Sequence, residues 1–171
     1  MGMRIIKITP RALDYTKTLT SGSANIYDPA SNKENSKKVP DEDLKTHVSV
    51  GREVIMAGAQ RRLNARQSGR AIVKYISGEV DALLIDLWRR VGREARNKVD
   101  IVAIGGYGRA ELCPHSDWDL LFLVPQLNDT ETSAAIQRCL YILWDSGAQI
   151  GHAVRTPADT HEHTGNDPHA R

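Results

Sequence analysis

The sequence predicts an α/β (α+β) chain, with a small mixed sheet flanked by helices and a helical segment ahead of it. Three observations carry this. Apolar residues recur at helical spacing between about 50 and 91. Short apolar runs bounded by glycine or proline follow at 99–104, 117–124 and 149–155. Between the last two lies an amphipathic stretch of helical length, 131–146.

Each element has its own warrant. Residues 1–17, with Ile5, Ile6, Ile8, Leu13 and Tyr15, suit a strand or a short helix. Residues 20–45 are rich in Ser, Thr, Asn, Lys, Pro and Asp, too polar to offset the entropy of ordering. Residues 1–45 are therefore expected to be a mostly disordered leader. Val54, Ala57, Ala59 and Leu63 give a weak helical stripe that begins near Val50 and runs to Arg66. Ser68 can cap a second helix, from about Gly69 to Arg96, with Ile72, Ile76, Val80, Leu83, Leu84, Leu87 and Val91 on one face. Arg89, Arg90, Arg93 and Arg96 fall in its last turns, where cations suit the helix dipole.

Val99 to Ile104 reads as a buried strand ending in Gly105-Gly106. A glycine-bearing turn and short helix, Tyr107 to Leu112, stop at Pro114. Asp117 to Val124 is a second strand, ended by Pro125. Thr130 is the expected cap of a helix from Glu131 to Ser146, with Ala135, Ile136, Cys139, Leu140, Leu143 and Trp144 inward and Gly147 closing it. Gln149 to Arg155 is a third strand. The core thus occupies 46–157. Residues 158–171 carry no apolar side chain larger than alanine, and a disordered tail is expected there.

Composition narrows the function classes. At 171 residues the chain has the length of one domain. No apolar run reaches the 18 or so residues of a membrane helix. The first eleven residues lack a signal-peptide core, and Ile6 stands where N-myristoylation needs Ser or Thr. Two cysteines, Cys113 and Cys139, are too few for a disulfide framework, so a reducing cytoplasm is expected. The net charge of +2 conceals a split: residues 46–98 carry 11 Lys/Arg against 5 Asp/Glu, and residues 99–157 carry 3 against 7. The basic part reads as Arg-rich helix surface, so neither nucleic acid nor membrane is the expected partner. The acidic part calls for a cation.

That part holds the informative constellation: Gly105-Gly106, ten residues, then Asp117-Trp118-Asp119 opening a strand. Residues two apart on a strand share a face, so Asp117 and Asp119 are expected side by side with Trp118 in the core behind them. Two adjacent carboxylates need a cation, and Mg²⁺ suits oxygen ligands. The glycine turn supplies the other half. Backbone N–H groups of Gly106, Tyr107 and Gly108 can meet phosphate oxygens, and Arg109 adds a matching guanidinium. Other glycine loops fail on spacing: Glu111 stands where a dinucleotide fingerprint needs Gly or Ala, and no Gly-Lys pair exists for a P-loop. A nucleoside triphosphate site is the expectation.

The stretch Gly105-Gly106-Tyr107-Gly108-Arg109-Ala110-Glu111-Leu112-Cys113-Pro114-His115-Ser116-Asp117-Trp118-Asp119-Leu120-Leu121 resembles the active-site segment of bacterial protein-PII uridylyltransferases, within the DNA polymerase β nucleotidyltransferase superfamily. Leu143-Trp144-Asp145-Ser146-Gly147 and Ile150-Gly151-His152-Ala153-Val154-Arg155-Thr156 resemble it too, and the likeness covers about 68–157. The resemblance implies a nucleotidyltransferase fold and transfer of UMP from UTP to a tyrosine of the PII signalling protein, with release of pyrophosphate. It implies catalytic and metal roles for Asp117 and Asp119, with Mg²⁺. It implies triphosphate contacts at Gly105 and Gly106; Tyr107, Gly108, Arg109 and Ser116 complete the expected nucleotide-binding set.

The sequence departs from the family pattern at several points. Ala110 stands where the family has glycine, read as a small change. Cys113 is read as a packed thiol. His115 suits either a phosphate approach or a role within its loop, and His152 is expected to pack beside its strand. The superfamily's third carboxylate, from a later strand, has no clear counterpart. Asp159, Glu162 and Asp167 are the only acids left, in the expected tail, where His161, His163 and His169 read as solvated. Full-length members continue into a UMP-removing HD-type domain and paired ACT domains, so a truncated member is expected. Two alternatives stay open: a catalytically silent remnant or partner-binding piece, and a nucleotidyltransferase with another acceptor, such as glutamine synthetase.

Overall fold

The computed structural model describes residues 3–6, 39–93, 95 and 97–159. Most of the expected leader and nearly all of the expected tail, with Arg96, His161, Glu162, His163, Asp167 and His169, lie outside the described residues. The elements are β1 (Met3–Ile6), α1 (Asp41–Asn64), α2 (Gly69–Val91), β2 (Asp100–Ile104), the one-turn α3 (Gly105–Gly108), β3 (Trp118–Leu123), α4 (Thr130–Asp145) and β4 (Ile150–Arg155).

The sheet is mixed, four strands in the order β1-β2-β3-β4. β1 and β3 run antiparallel to β2, and β4 runs parallel to β3. A parallel neighbour needs a crossover, and α4 supplies it. The small mixed α/β fold expected from the sequence is the fold observed. Residues 1–17 had suited a strand or a helix; Met3–Ile6 is a strand, with Met3 opposite Ile104 and Ile6 opposite Ile101.

The register sorts the side chains into two faces. Ile101, Ala103, Leu120 and Phe122 join the core formed with the helices, and Trp88 of α2 meets Phe122 at a ring separation of 6.1 Å. Trp118 lies on this face, 7% exposed, as expected. The alternate residues, Val102, Asp119 and Leu121, take the other face.

α1 begins at Asp41, nine residues before the periodicity suggests. Three acidic residues, Asp41, Glu42 and Asp43, occupy its first turn, where they suit the helix dipole. Its buried face is Leu44, Val48, Gly51, Ile55, Gly58 and Ala59, so of the expected stripe only Ala59 is buried. Ala57 is exposed and Leu63 is 57% exposed. Two glycines sit in that face because α2 comes close: a Cβ at Gly51 would lie 2.8 Å from Leu83, and one at Gly58 would lie 2.1 Å from the Tyr75 hydroxyl.

α2 ends at Val91, short of Arg96. Gly92 donates its N–H to the Trp88 carbonyl at 2.7 Å, and the indole covers it, so a Cβ there would stand 2.6 Å from the ring. The N-cap of α4 is Asp129 rather than within the helix at Thr130. Its carboxylate accepts from the N–H groups of Glu131 and Thr132. Trp144 is not inward: it is 39% exposed and stacks edge-on with His152 of β4.

Candidate functional site

Asp119 sits one residue into β3 and faces away from the helices. Its carboxylate is seated between two glycines brought from different elements. Gly105, where β2 meets α3, has φ +62°, and a Cβ there would stand 3.0 Å from Asp119 Oδ2. Gly151 is the β4 partner of Asp119 in the parallel register, and a Cβ there would stand 2.4 Å from Oδ1. Any larger residue at 151 would displace the carboxylate, and at 105 the left-handed backbone adds a second reason for glycine. The Gly-Gly turn and the second acid of Asp-x-Asp therefore meet.

Asp117 falls just before β3 and is exposed. The strand starts at Trp118, one residue later than expected, and the Trp118 N–H donates to the Gln149 carbonyl at 2.8 Å. With its amide nitrogen turned inward, Gln149 donates to Asp117 Oδ1 at 3.1 Å and to the His115 carbonyl at 3.2 Å. Gln149 thus ties Asp117 to the start of β4, a role the sequence did not announce. His115, at φ +63°, closes the loop ahead of Asp117.

The turn is tightly bonded within itself. The Arg109 N–H donates to the Gly105 and Gly106 carbonyls at 3.3 and 3.2 Å, and the Glu111 N–H donates to the Gly106 carbonyl at 2.9 Å. Gly106 needs no relief from a neighbour, since a Cβ there would be 3.8 Å from Arg109 Nη2. The Arg109 guanidinium therefore hangs beside Gly106, with its Nε paired to Glu111 at 2.9 Å. Both partners are half exposed, so the pair is weak and open to exchange for a phosphate.

Tyr107 is 1% exposed. Only its backbone can face a ligand, because its hydroxyl donates to Asp81 Oδ1 of α2 at 2.8 Å. Burial pushes the Tyr107 phenol well above its ordinary range, so it remains a donor. Ala110 takes a left-handed φ of +58°. What the sequence read as a small change is therefore a strained position, and glycine is the residue that relieves it. Ser116 donates its hydroxyl to the Cys113 carbonyl at 2.9 Å. It also lines a cavity of about 370 Å³ behind Trp118, which Arg52 and Glu53 of α1 share. Cys113 is exposed rather than packed.

Among the described residues, no group of three or more His, Cys, Asp and Glu side chains converges as a metal site. Asp159 accepts from the N–H and hydroxyl of Thr156 at 3.0 and 2.7 Å, which commits it to a local turn. No helix among the described residues is long and apolar enough to cross a membrane.

No family model matches the chain. Individual relatives do. A Nitrosospira multiformis protein described as a bifunctional uridylyltransferase/uridylyl-removing enzyme is 32% identical over 139 residues, which cover 78% of this chain and 15% of the relative. A Haemophilus influenzae protein of the same description is 41% identical over 92 residues, 54% of this chain and 11% of the relative. One from Azospirillum brasilense is 40% identical over 111 residues, 60% of this chain and 12% of the relative. The chain spans 11 to 15% of the length of these three relatives. The shared description and the extent of the match, 32% identity over 78% of this chain in the first case, lead to one assignment: the chain belongs to the family of bifunctional uridylyltransferase/uridylyl-removing enzymes.

Proposed function

We propose that the chain carries the nucleotide site of a nucleotidyltransferase that moves UMP from UTP to a tyrosine of the PII protein and releases pyrophosphate. The observation that carries this reading is the seat of Asp119 between Gly105 and Gly151. A carboxylate set against a glycine turn would bring an oxygen suited to a metal beside backbone suited to phosphate, which supports the reading.

The donor set fits Mg²⁺. Asp117 and Asp119 offer hard oxygen ligands, and Mg²⁺ is commonly held by one or two carboxylates together with substrate phosphates and water. Bound there, Mg²⁺ would supply charge neutralisation for the triphosphate. The backbone of Gly105, Gly106, Tyr107 and Gly108 would cradle phosphate oxygens, and Arg109 would exchange Glu111 for them. Ser116 and Gln149 would hold the loop that presents Asp117. In the reaction, the tyrosine oxygen forms a bond to the α-phosphorus in line with the bond that breaks. The phenol proton passes to solvent, and the leaving group is pyrophosphate. Positioning and charge supply most of the acceleration in such a transfer.

Titration of the chain with UTP in the presence of Mg²⁺ tests the reading. Saturable binding, lost in Asp117→Asn with Asp119→Asn, is expected. Equal binding by the double variant would overturn the metal assignment.

One observation favours a second reading, a silent or partner-binding piece. The described residues bring no third carboxylate to Asp117 and Asp119. UMP transfer to PII, measured beside a full-length relative, separates the two. Binding without transfer supports the second.

A further inference from the structure

We propose that Ser77 and Asp81 of α2 are positioning residues that pin the two ends of the glycine-turn segment, Tyr107 to Leu112, in its ligand-ready shape. The inference rests on the nucleotide reading above and adds to it two residues from outside the motif.

The two side chains lie four residues apart, one helical turn, so they project from the same face of α2. They sit beside the apolar stripe of Ile76 and Val80. Asp81 accepts the Tyr107 hydroxyl at 2.8 Å. Ser77 is 1% exposed, and its oxygen accepts the N–H of Leu112 at 3.1 Å. The Ser77 hydroxyl donates its own proton back along the helix to the Val73 carbonyl at 2.9 Å. That fixes its rotamer and leaves a lone pair directed at Leu112. Arg4 of β1 completes the upper pin, pairing with both Asp81 oxygens and reaching the Tyr107 carbonyl at 3.5 Å.

Between the pins lie Gly108, Arg109, Ala110 and Glu111. This arc contains the strained Ala110 and the cation offered to phosphate. An arc with a residue in the left-handed region relaxes unless its ends are held. α2 holds both ends from one rigid element. Neither Ser77 nor Asp81 touches the ligand in this arrangement: each acts through Tyr107 or Leu112.

The test uses Asp81→Ala, Asp81→Asn, Ser77→Ala, Tyr107→Phe and the Asp81→Ala, Tyr107→Phe double variant. Leu143→Ala, a core truncation in α4, is the control for general destabilisation. Mg²⁺-dependent UTP affinity, thermal midpoint and amide hydrogen exchange over 106–112 are measured for each. Asp81→Ala, Ser77→Ala and Tyr107→Phe should each weaken UTP binding roughly tenfold, as expected for loss of one buried or charge-assisted hydrogen bond. The double variant should lose no more than the worse single one, because the two residues form one unit. Asp81→Asn keeps an acceptor for Tyr107 but loses one of the two oxygens paired with Arg4, so its affinity should fall less than that of Asp81→Ala. Leu143→Ala should lower the midpoint and leave affinity and exchange over 106–112 unchanged.

Wild-type affinity in both Asp81→Ala and Ser77→Ala would overturn the proposal. So would an equal loss of affinity in Leu143→Ala. If the unaltered chain fails to bind UTP, the nucleotide reading falls, and exchange decides the pins by itself. Faster exchange over 106–112 in the two pin variants but not in Leu143→Ala supports them, and unchanged exchange refutes them.

Discussion

Replacing Gly151 by alanine is the sharpest test of the geometry around Asp119. The new Cβ would stand 2.4 Å from Asp119 Oδ1, and ordinary contact begins near 3.4 Å, so the carboxylate must retreat by about 1 Å (3.4 − 2.4). The backbone cannot give way cheaply, because Asp119 and Gly151 are register partners within the parallel β3–β4 ladder. Relief comes from rotating the Asp119 side chain off its rotamer, at a cost of about 1 kcal/mol. A misplacement of about 1 Å in a group that positions substrate costs roughly 100-fold in rate. Gly151→Ala should therefore lower the thermal midpoint by only a few degrees and reduce UMP transfer, or Mg²⁺-dependent UTP binding, far more. Calorimetric titration beside thermal unfolding reads both quantities on one preparation. A folded Gly151→Ala variant with wild-type affinity would refute the argument that Asp119 must occupy this seat.

Three further outcomes follow from other positions. Ala110→Gly should raise stability by about 1 kcal/mol, since the left-handed φ of +58° disfavours any residue with a Cβ; an unchanged or lower unfolding midpoint in urea would count against strain at this turn. Asp129 is held at about 2, first by its hydrogen bond from Lys98 and then by those from Thr132 at the start of α4. Its folded value is depressed, so its contribution is present above the unfolded value near 4 and disappears as pH falls through about 2. Asp129→Ala should lower the midpoint at neutral pH and flatten the loss of stability between about pH 4 and 2, as followed by circular dichroism. Burial pushes the Cys139 thiol up to about 12, whereas Cys113 is exposed. A thiol-reactive dye should label Cys113 promptly and Cys139 only on unfolding; rapid labelling of both would contradict the packing of α4.

How far the sequence could be read depended on what each residue type reveals. The apolar stripe of α2 and the short runs of β2 and β3 were legible, since burial there is carried largely by Ile, Leu and Val; β4 was legible from its position between Gly147 and Pro157, although none of its residues is buried. α1 was legible as a helix, but by face only at Ala59, because Gly51 and Gly58 occupy its buried side and carry no hydrophobic signal. They are buried for closeness to Leu83 and Tyr75, which only the paired helix reveals. The end of α2 at Gly92 depends on the Trp88 ring folding over it, again a tertiary cause. At the site, Gly105, Gly106, Asp117 and Asp119 stood out because the spacing is local. Gln149, Ser77, Asp81 and Arg4 did not, because they reach the turn from other elements. Ser77 and Asp81 had one readable trace, a polar pair four residues apart flanking an apolar stripe.

The pairing of β1 with β2 joins residues that are far apart in time as well as in sequence. Met3 meets Ile104, so about a hundred residues are synthesised between the strand and its partner. At the usual elongation rate of about 5–20 residues per second, that is roughly 5–20 s. Throughout that interval Ile5 and Ile6 wait for β2, their partner among the described residues, and α2 with Asp81 is made before Arg4 can be seated. A fusion tag placed at Met1 begins two residues before β1, so it bears on the seating of Arg4. Under the proposed pins, a tag at that end reaches the glycine turn through Arg4 and Asp81, about a hundred residues away in the chain.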